Sequence, residues 1–189
     1  ILMNENIGLF SHKRLLANYA FKFKIGKGWL NLGVQGGVMN EGFEYDELEL
    51  IDKNDPAFPT SGADGSGADM GAGLYYYNRG YYIGISALHL NSPRVYYSKD
   101  GDKSAYLDIK PTFYSIGGCN IQLNNPLLSL QPCFQVATDG KFVRTDITIR
   151  GSYEYESSKF FGGFTYSPGT SVAVLIGGMY KQVTIGYAY

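Results

Sequence analysis

Hydrophobic and polar positions alternate along most of this chain. From Leu15 the odd positions Leu15, Ala17, Tyr19, Phe21, Phe23 and Ile25 are apolar, while Asn18, Lys22 and Lys24 take even ones. After Gly26-Lys27-Gly28 the pattern resumes, with Leu30, Leu32, Val34 and Val38 set between Asn31, Gly33, Gln35 and Gly37. The clearest run puts Val143, Thr145, Ile147, Ile149, Tyr153 and Tyr155 on one face. Arg144, Asp146, Thr148, Arg150, Ser152 and Glu154 fall on the other. A period of two is that of a β-strand, whose successive side chains point to opposite faces. No segment shows a helical repeat with caps. The pattern predicts about ten strands, near 13–25, 29–39, 70–78, 80–90, 107–123, 127–137, 142–155, 160–166, 171–180 and 182–189.

The connections add a second signal. Taken in order, the odd-numbered ones are all short, and the two long ones, near 40–69 and 91–106, are both even-numbered. In an up-and-down meander both long connections then lie at one end. Outer-membrane barrels have this asymmetry, with short periplasmic turns and longer external loops. Several expected strands reach the ~9–11 residues that a tilted strand needs to cross a bilayer.

Alternation alone does not say which face meets water. Here the apolar faces are large and often end in Tyr or Phe, as a belt at headgroup level does. The polar faces are built from Gly, Ser, Thr, Asn and Gln more than from Lys–Glu pairs. Gly33, Gly73, Gly84, Gly117, Gly118, Gly162, Gly163, Gly177 and Gly178 sit inside the expected strands. Glycine weakens a strand but permits the bending of a barrel. The expected fold is therefore all-β: an antiparallel up-and-down transmembrane β-barrel, one domain over residues 1–189. Because lipid tolerates no open sheet edge, and the chain opens and stops in mid-pattern, the barrel is expected to be incomplete at both ends.

Composition agrees. The 189 residues hold 16 basic and 17 acidic side chains, so nucleic acid, which favours a basic excess, is not an expected partner. Charged residues make up 17% and aromatics 15%, with 17 tyrosines and 25 glycines. The charged share is below the roughly 25% of ordinary soluble domains. No apolar run approaches the ~20 residues of a membrane-spanning helix.

Five tyrosines crowd one short hairpin, Gly73-Leu-Tyr-Tyr-Tyr-Asn-Arg-Gly-Tyr-Tyr-Ile-Gly-Ile-Ser86. Asn78-Arg79-Gly80 reads as its tight turn, with Gly80 free to take positive φ. Alternation splits the rings. Tyr76 and Tyr81 share the apolar face and are expected at the lipid interface. Tyr75, Tyr77 and Tyr82 fall on the opposite face, at the expected lumen mouth.

Sites of chemistry are sparse. His12 and His89 lie on separate elements with no Cys or carboxylate at ligand spacing, so no metal is expected. Cys119 and Cys133 flank the Asn124-Asn125-Pro126 turn but fall on opposite faces, which argues against a disulfide. Gly62-Ala-Asp-Gly-Ser-Gly-Ala-Asp-Met-Gly-Ala-Gly73 looks superficially like a phosphate loop. It precedes a strand and lacks the lysine, so it reads as a flexible external loop. Glu41, Glu44, Asp46, Glu47, Glu49, Asp52 and Asp55 fit no EF-hand spacing and read as a solvated loop. Arg144, Asp146, Arg150 and Glu154 are the expected lumen residues, filling it by mutual pairing or selecting ions. No Ser-His-Asp, Cys-His or paired-acid constellation appears, so no enzyme and no cofactor is expected.

Several stretches, in order, resemble a known family. Near the start, Tyr19-Ala20-Phe21-Lys22 leads into Leu32-Gly33-Val34-Gln35-Gly36-Gly37. Asp55-Pro56-Ala57-Phe58-Pro59 follows, then Gly71-Ala-Gly-Leu-Tyr-Tyr-Tyr77 with Gly73, Tyr75 and Tyr76. Tyr81-Tyr-Ile-Gly-Ile-Ser86, with Tyr82, Gly84 and Ser86, precedes His89-Leu90, and Ile185-Gly-Tyr-Ala-Tyr189 closes the chain with Gly186 and Tyr187. This order resembles the PorP/SprF family of the type IX secretion and gliding-motility machinery. The resemblance implies a barrel in the outer membrane of a Gram-negative bacterium. Its implied partners are outer-membrane lipids, secretion-machinery proteins and secreted adhesin cargo. It supplies no catalytic residues. Three functions follow as expectations: a docking barrel of the secretion machinery, a general porin or solute channel, and a structural anchor.

Overall fold

The computed structural model describes residues 1–8, 10–43, 63–99 and 102–189. They form fourteen strands and no helix: β1 (Leu2–Ile7), β2 (Phe10–Ile25), β3 (Gly28–Phe43), β4 (Ala63–Tyr77), β5 (Tyr81–Leu88), β6 (Arg94–Lys99), β7 (Asp102–Asp108), β8 (Thr112–Cys119), β9 (Ile121–Gln122), β10 (Leu128–Thr138), β11 (Val143–Tyr155), β12 (Ser158–Ser167), β13 (Ser171–Tyr180) and β14 (Val183–Ala188). The main hydrogen-bonded path is β1-β2-β3-β4-β5-β8-β10-β11-β12-β13-β14. Strands along this path follow one another in sequence order, as in a meander, while β6 pairs with β4 and β7, and β9 with β10, off the path. The pairs from β10 to β14 are all antiparallel. Among the described residues β1 does not pair with β14, so the sheet is not closed on itself.

Four elements exceed the ten expected. β1 pairs in full with β2, from Leu2 opposite Leu15 to Ile7 opposite Phe10. β6 and β7 form a hairpin where a loop was expected near 91–106. The expected strand 107–123 divides into β8 and β9. A further difference concerns the glycine-rich stretch read as a loop. From Ala63 onward it is the first half of β4. Small residues give no apolar periodicity to read, and the backbone ladder holds them extended regardless. The remainder of the expected loop near 40–69, apart from 40–43 and 63–69, lies outside the described residues.

Two connections show why the chain bends where it does. The β4–β5 turn is closed by a side chain: Asn78 Oδ1 accepts from the N–H groups of Gly80 at 2.8 Å and Tyr81 at 2.9 Å. Gly80 does not take positive φ, in contrast to expectation, because the Asn78 side chain already satisfies the turn. Between β5 and β6 the strand breaks at His89 and Ser92, both at positive φ, and at Pro93. The Asn91 amide fills the gap in the ladder. It accepts from the Met70 N–H at 3.1 Å and donates to the Ala68 carbonyl at 2.8 Å.

The chain divides into two compact units. The first comprises Ile1–Ala20, Gly33–Ala72 and Ala87–Thr112. It contains the two fully buried apolar side chains among the described residues, Met39 (1% exposed) and Val95 (0%). Gly67 lies beside both: a Cβ there would meet Val95 at 3.5 Å and Met39 at 4.0 Å.

The second unit comprises Phe21–Leu32, Gly73–Ser86 and Phe113–Tyr189. Most of its large apolar side chains are exposed. On β12, Phe160, Phe164 and Tyr166 are exposed, while the intervening Phe161, Gly163, Thr165 and Ser167 are covered. β11 behaves alike, with Ile147, Ile149 and Tyr153 exposed and Thr148 and Ser152 covered. This inverts the soluble rule, under which the apolar face supplies the core.

Candidate functional site

The covered face of the second unit is polar, and its side chains pair across strands as the register dictates. Ser129 and Ser152, opposite each other, hydrogen-bond at 2.8 Å. Thr148 and Thr165, also opposite, do so at 2.8 Å. Such cross-strand pairs are the unit of sheet stabilisation.

The four charged residues expected to fill a lumen do lie along this strand face, but they do not all pair with one another. Arg144 Nε lies 3.2 Å from Asp146 Oδ2, and Asp146 also accepts from the Ser167 hydroxyl. Arg150 instead donates through Nε and Nη2 to Gln131 Oε1, the Nε bond being 2.9 Å. Its guanidinium stands over the Phe161 ring, 5.8 Å from the centroid. Glu154 pairs with Lys159, directly opposite it, at 3.4 Å. The spacing i, i+2 along β11 aligns these groups on one side, but cross-strand neighbours are closer than residues four or more apart along a strand. Register, invisible in the sequence, therefore chose the partners.

The tyrosines of the β4–β5 hairpin form two groups. Tyr76 meets Tyr81, ring centroids 5.8 Å apart. Tyr75 lies between Tyr77 at 5.8 Å and Tyr82 at 5.9 Å. Two glycines make room for this trio. A Cβ at Gly84 would stand 2.8 Å from the Tyr75 ring, and one at Gly118 would stand 2.7 Å from the Tyr82 hydroxyl. Lys22 Nζ sits over Tyr77, 5.4 Å from its centroid, and over Trp29 at 4.5 Å.

Around the trio lies a cavity of about 460 Å³. Tyr82 of β5, Gln131 of β10, Arg150 of β11 and Leu175 of β13 all reach it. Strands that far apart in the sheet share one hollow only if the sheet of this unit curves toward its polar face. Cys119 and Cys133 also line it, and both are free thiols. The register puts Gly118, not Cys119, opposite Cys133.

The first unit holds a buried ionic cluster that alternation concealed. Glu41, read in the sequence as part of a solvated loop, is in β3 and only 3% exposed. It pairs with His12 and, at 3.6 Å, with Arg14. Its neighbours in a covered sheet face, rather than the acidic run that follows it, set its environment. Asp69, 2% exposed, pairs with His89 at 2.9 Å. Polar residues at equal strand spacing on β2 (His12, Arg14) were the available signal, but nothing in the sequence linked them to Glu41.

Of the motif positions, Asp55, Pro56 and Phe58 lie outside the described residues. Gly73 packs against Ser86, where a Cβ would stand 3.1 Å from the serine Cβ. Gly186 pairs with Gly177 and Tyr187 with Ile176 on β14. Of the hairpin motif residues, Tyr75 and Tyr82 line the cavity, and Gly84 makes room for the Tyr75 ring.

No curated protein and no solved structure matches the chain. The family model described as type IX secretion system membrane protein PorP/SprF matches residues 1–189. With strands that present apolar side chains outward and a polar hollow behind them, and with that match over its whole length, the chain belongs to the PorP/SprF family of type IX secretion system membrane proteins.

Proposed function

We propose that the chain forms a non-enzymatic β-barrel of the bacterial outer membrane and helps the type IX secretion machinery to secrete or anchor surface proteins such as adhesins. The observation behind this reading is the inverted accessibility of the second unit. Exposed Ile149, Phe164, Val174 and Ile185 would be a severe liability in water. Against acyl chains they match the solvent.

Docking is favoured over a general solute channel by the polar face itself. Thr148–Thr165, Ser129–Ser152 and Glu154–Lys159 occupy one another rather than lining a ring of unpaired charge. Conducting pores carry such rings. Two experiments test the proposal. The protein should float with outer-membrane fractions and run faster on a gel before heating than after. It should also retain adhesin C-terminal domains in a pull-down. Large steady conductance in planar bilayers, with no retention of those domains, would replace the docking role by the channel.

A further inference from the structure

We propose that the cavity beside the tyrosine trio binds an organic carboxylate with a flat apolar body. This goes beyond the secretion reading and does not depend on it.

The first argument is charge. Arg79 and Arg150 line the cavity, and no Asp or Glu does. Neither arginine has a carboxylate partner among the described residues, whereas Arg144 pairs with Asp146 and Lys159 with Glu154. Lys22, against Tyr77, adds a third cation nearby. A hollow lined by cations without anions attracts negative charge, and low-dielectric walls strengthen the attraction.

The second argument is the geometry of Arg150. A guanidinium has five N–H donors. Nε and Nη2 each spend one on Gln131 Oε1. The end bearing both Nη atoms keeps the remaining donors, a planar fork that matches one carboxylate. Gln131 and the Phe161 ring fix that fork in place, so little rotamer entropy is lost on binding.

The third argument is the wall. Tyr75, Tyr77 and Tyr82 supply aromatic surface, and Pro132 and Leu175 supply aliphatic surface. A bare inorganic anion would leave all of it unfilled. A ring beside the carboxylate would bury it, and about 460 Å³ falls within the range of small-molecule sites.

The test uses the full chain in detergent micelles and ligand-observed NMR. N-acetyl-phenylalanine should bind saturably, and its amide about tenfold more weakly, because a charge-assisted pair is lost. Arg150→Gln should abolish that preference, weakening the acid about tenfold and sparing the amide. Arg150→Lys should restore it in part, as a point charge without the fork. Tyr75→Leu should weaken acid and amide alike. Heat-dependent gel mobility checks that each variant is folded, and the acid–amide comparison on the unaltered protein needs no variant. Equal affinity for acid and amide, or no saturable binding of either, overturns the proposal. So does inorganic phosphate that competes as well as the acid. Benzoate and the tetrapeptide Gly-Gly-Gly-Phe separate the two sources: benzoate binding alone points to a free small acid, and tetrapeptide binding points to a chain terminus.

Discussion

His89 Nδ1 lies 2.9 Å from Asp69 Oδ1, and the pair fastens the point where β5 gives way to β6. Asp69 is 2% exposed, so its carboxylate has traded water for contacts that include this side chain. His89→Phe should leave the carboxylate buried without that partner and destabilise the fold by about 1–3 kcal/mol. Asp69→Asn combined with His89→Phe should recover part of the loss. Urea unfolding followed by the fluorescence of Trp29, the single tryptophan, reads both.

Glu41 and Glu154 offer a contrast between two ion pairs. Glu41 is buried and serves two partners, His12 and Arg14, each about three-quarters covered. Glu154 is 62% exposed beside Lys159. Glu41→Gln should cost about 1–3 kcal/mol, since the partly desolvated Arg14 loses its anion. Glu154→Gln should cost no more than about 1 kcal/mol, as for exposed pairs generally. The same urea series distinguishes them, and equal effects would contradict the burial argument.

Gly84 and Gly151 are both strand glycines, yet only one is crowded. A Cβ at Gly84 would stand 2.8 Å from the Tyr75 ring, whereas the nearest atom at Gly151 is 3.9 Å away. Gly84→Ala should therefore displace the Tyr75 ring and cost about 1–3 kcal/mol as overpacking. Gly151→Ala should stay within about 0.5 kcal/mol, as for substitutions away from special features. Tyrosine ring resonances in an aromatic NMR spectrum should shift for the first variant only.

Ile149 and Thr148 are adjacent on β11 and face opposite ways, Ile149 exposed and Thr148 covered. In a bilayer, Ile149→Arg should reduce folding stability by about 2–4 kcal/mol, falling toward zero if the residue sits near the interface. In detergent-free aqueous buffer the same change should instead improve solubility, because it breaks an exposed apolar strip. Folding yield into lipid vesicles, set against aggregation in buffer, checks the sign reversal.

Much of the architecture was legible in the sequence because a strand writes its two faces as a period of two. The stretch from Val143 to Tyr155 and the pair at 171–189 needed nothing more. β4 before Met70 was not legible: Ala63-Asp-Gly-Ser-Gly-Ala-Asp carries no large side chains, and its ladder comes from its neighbours. β6 and β7 were hidden for a related reason, since turn-forming Asn91 and Pro93 precede them and only the Asn91 side chain shows how β4 stays satisfied across the break.

The candidate site divides in the same way. Alternation alone separated Tyr76 and Tyr81 from Tyr75, Tyr77 and Tyr82, because rings two apart on a strand share a face. It also placed Arg144, Asp146, Arg150 and Glu154 together on one face of β11. It did not say that Arg150 turns to Gln131, that Glu154 meets Lys159, or that Glu41 gathers His12 and Arg14. Those partnerships depend on register and sheet curvature, which bring together residues far apart in the chain. Period is a local property that the sequence determines by itself, whereas the meeting of distant strands is a global one, and only the tertiary structure decides it.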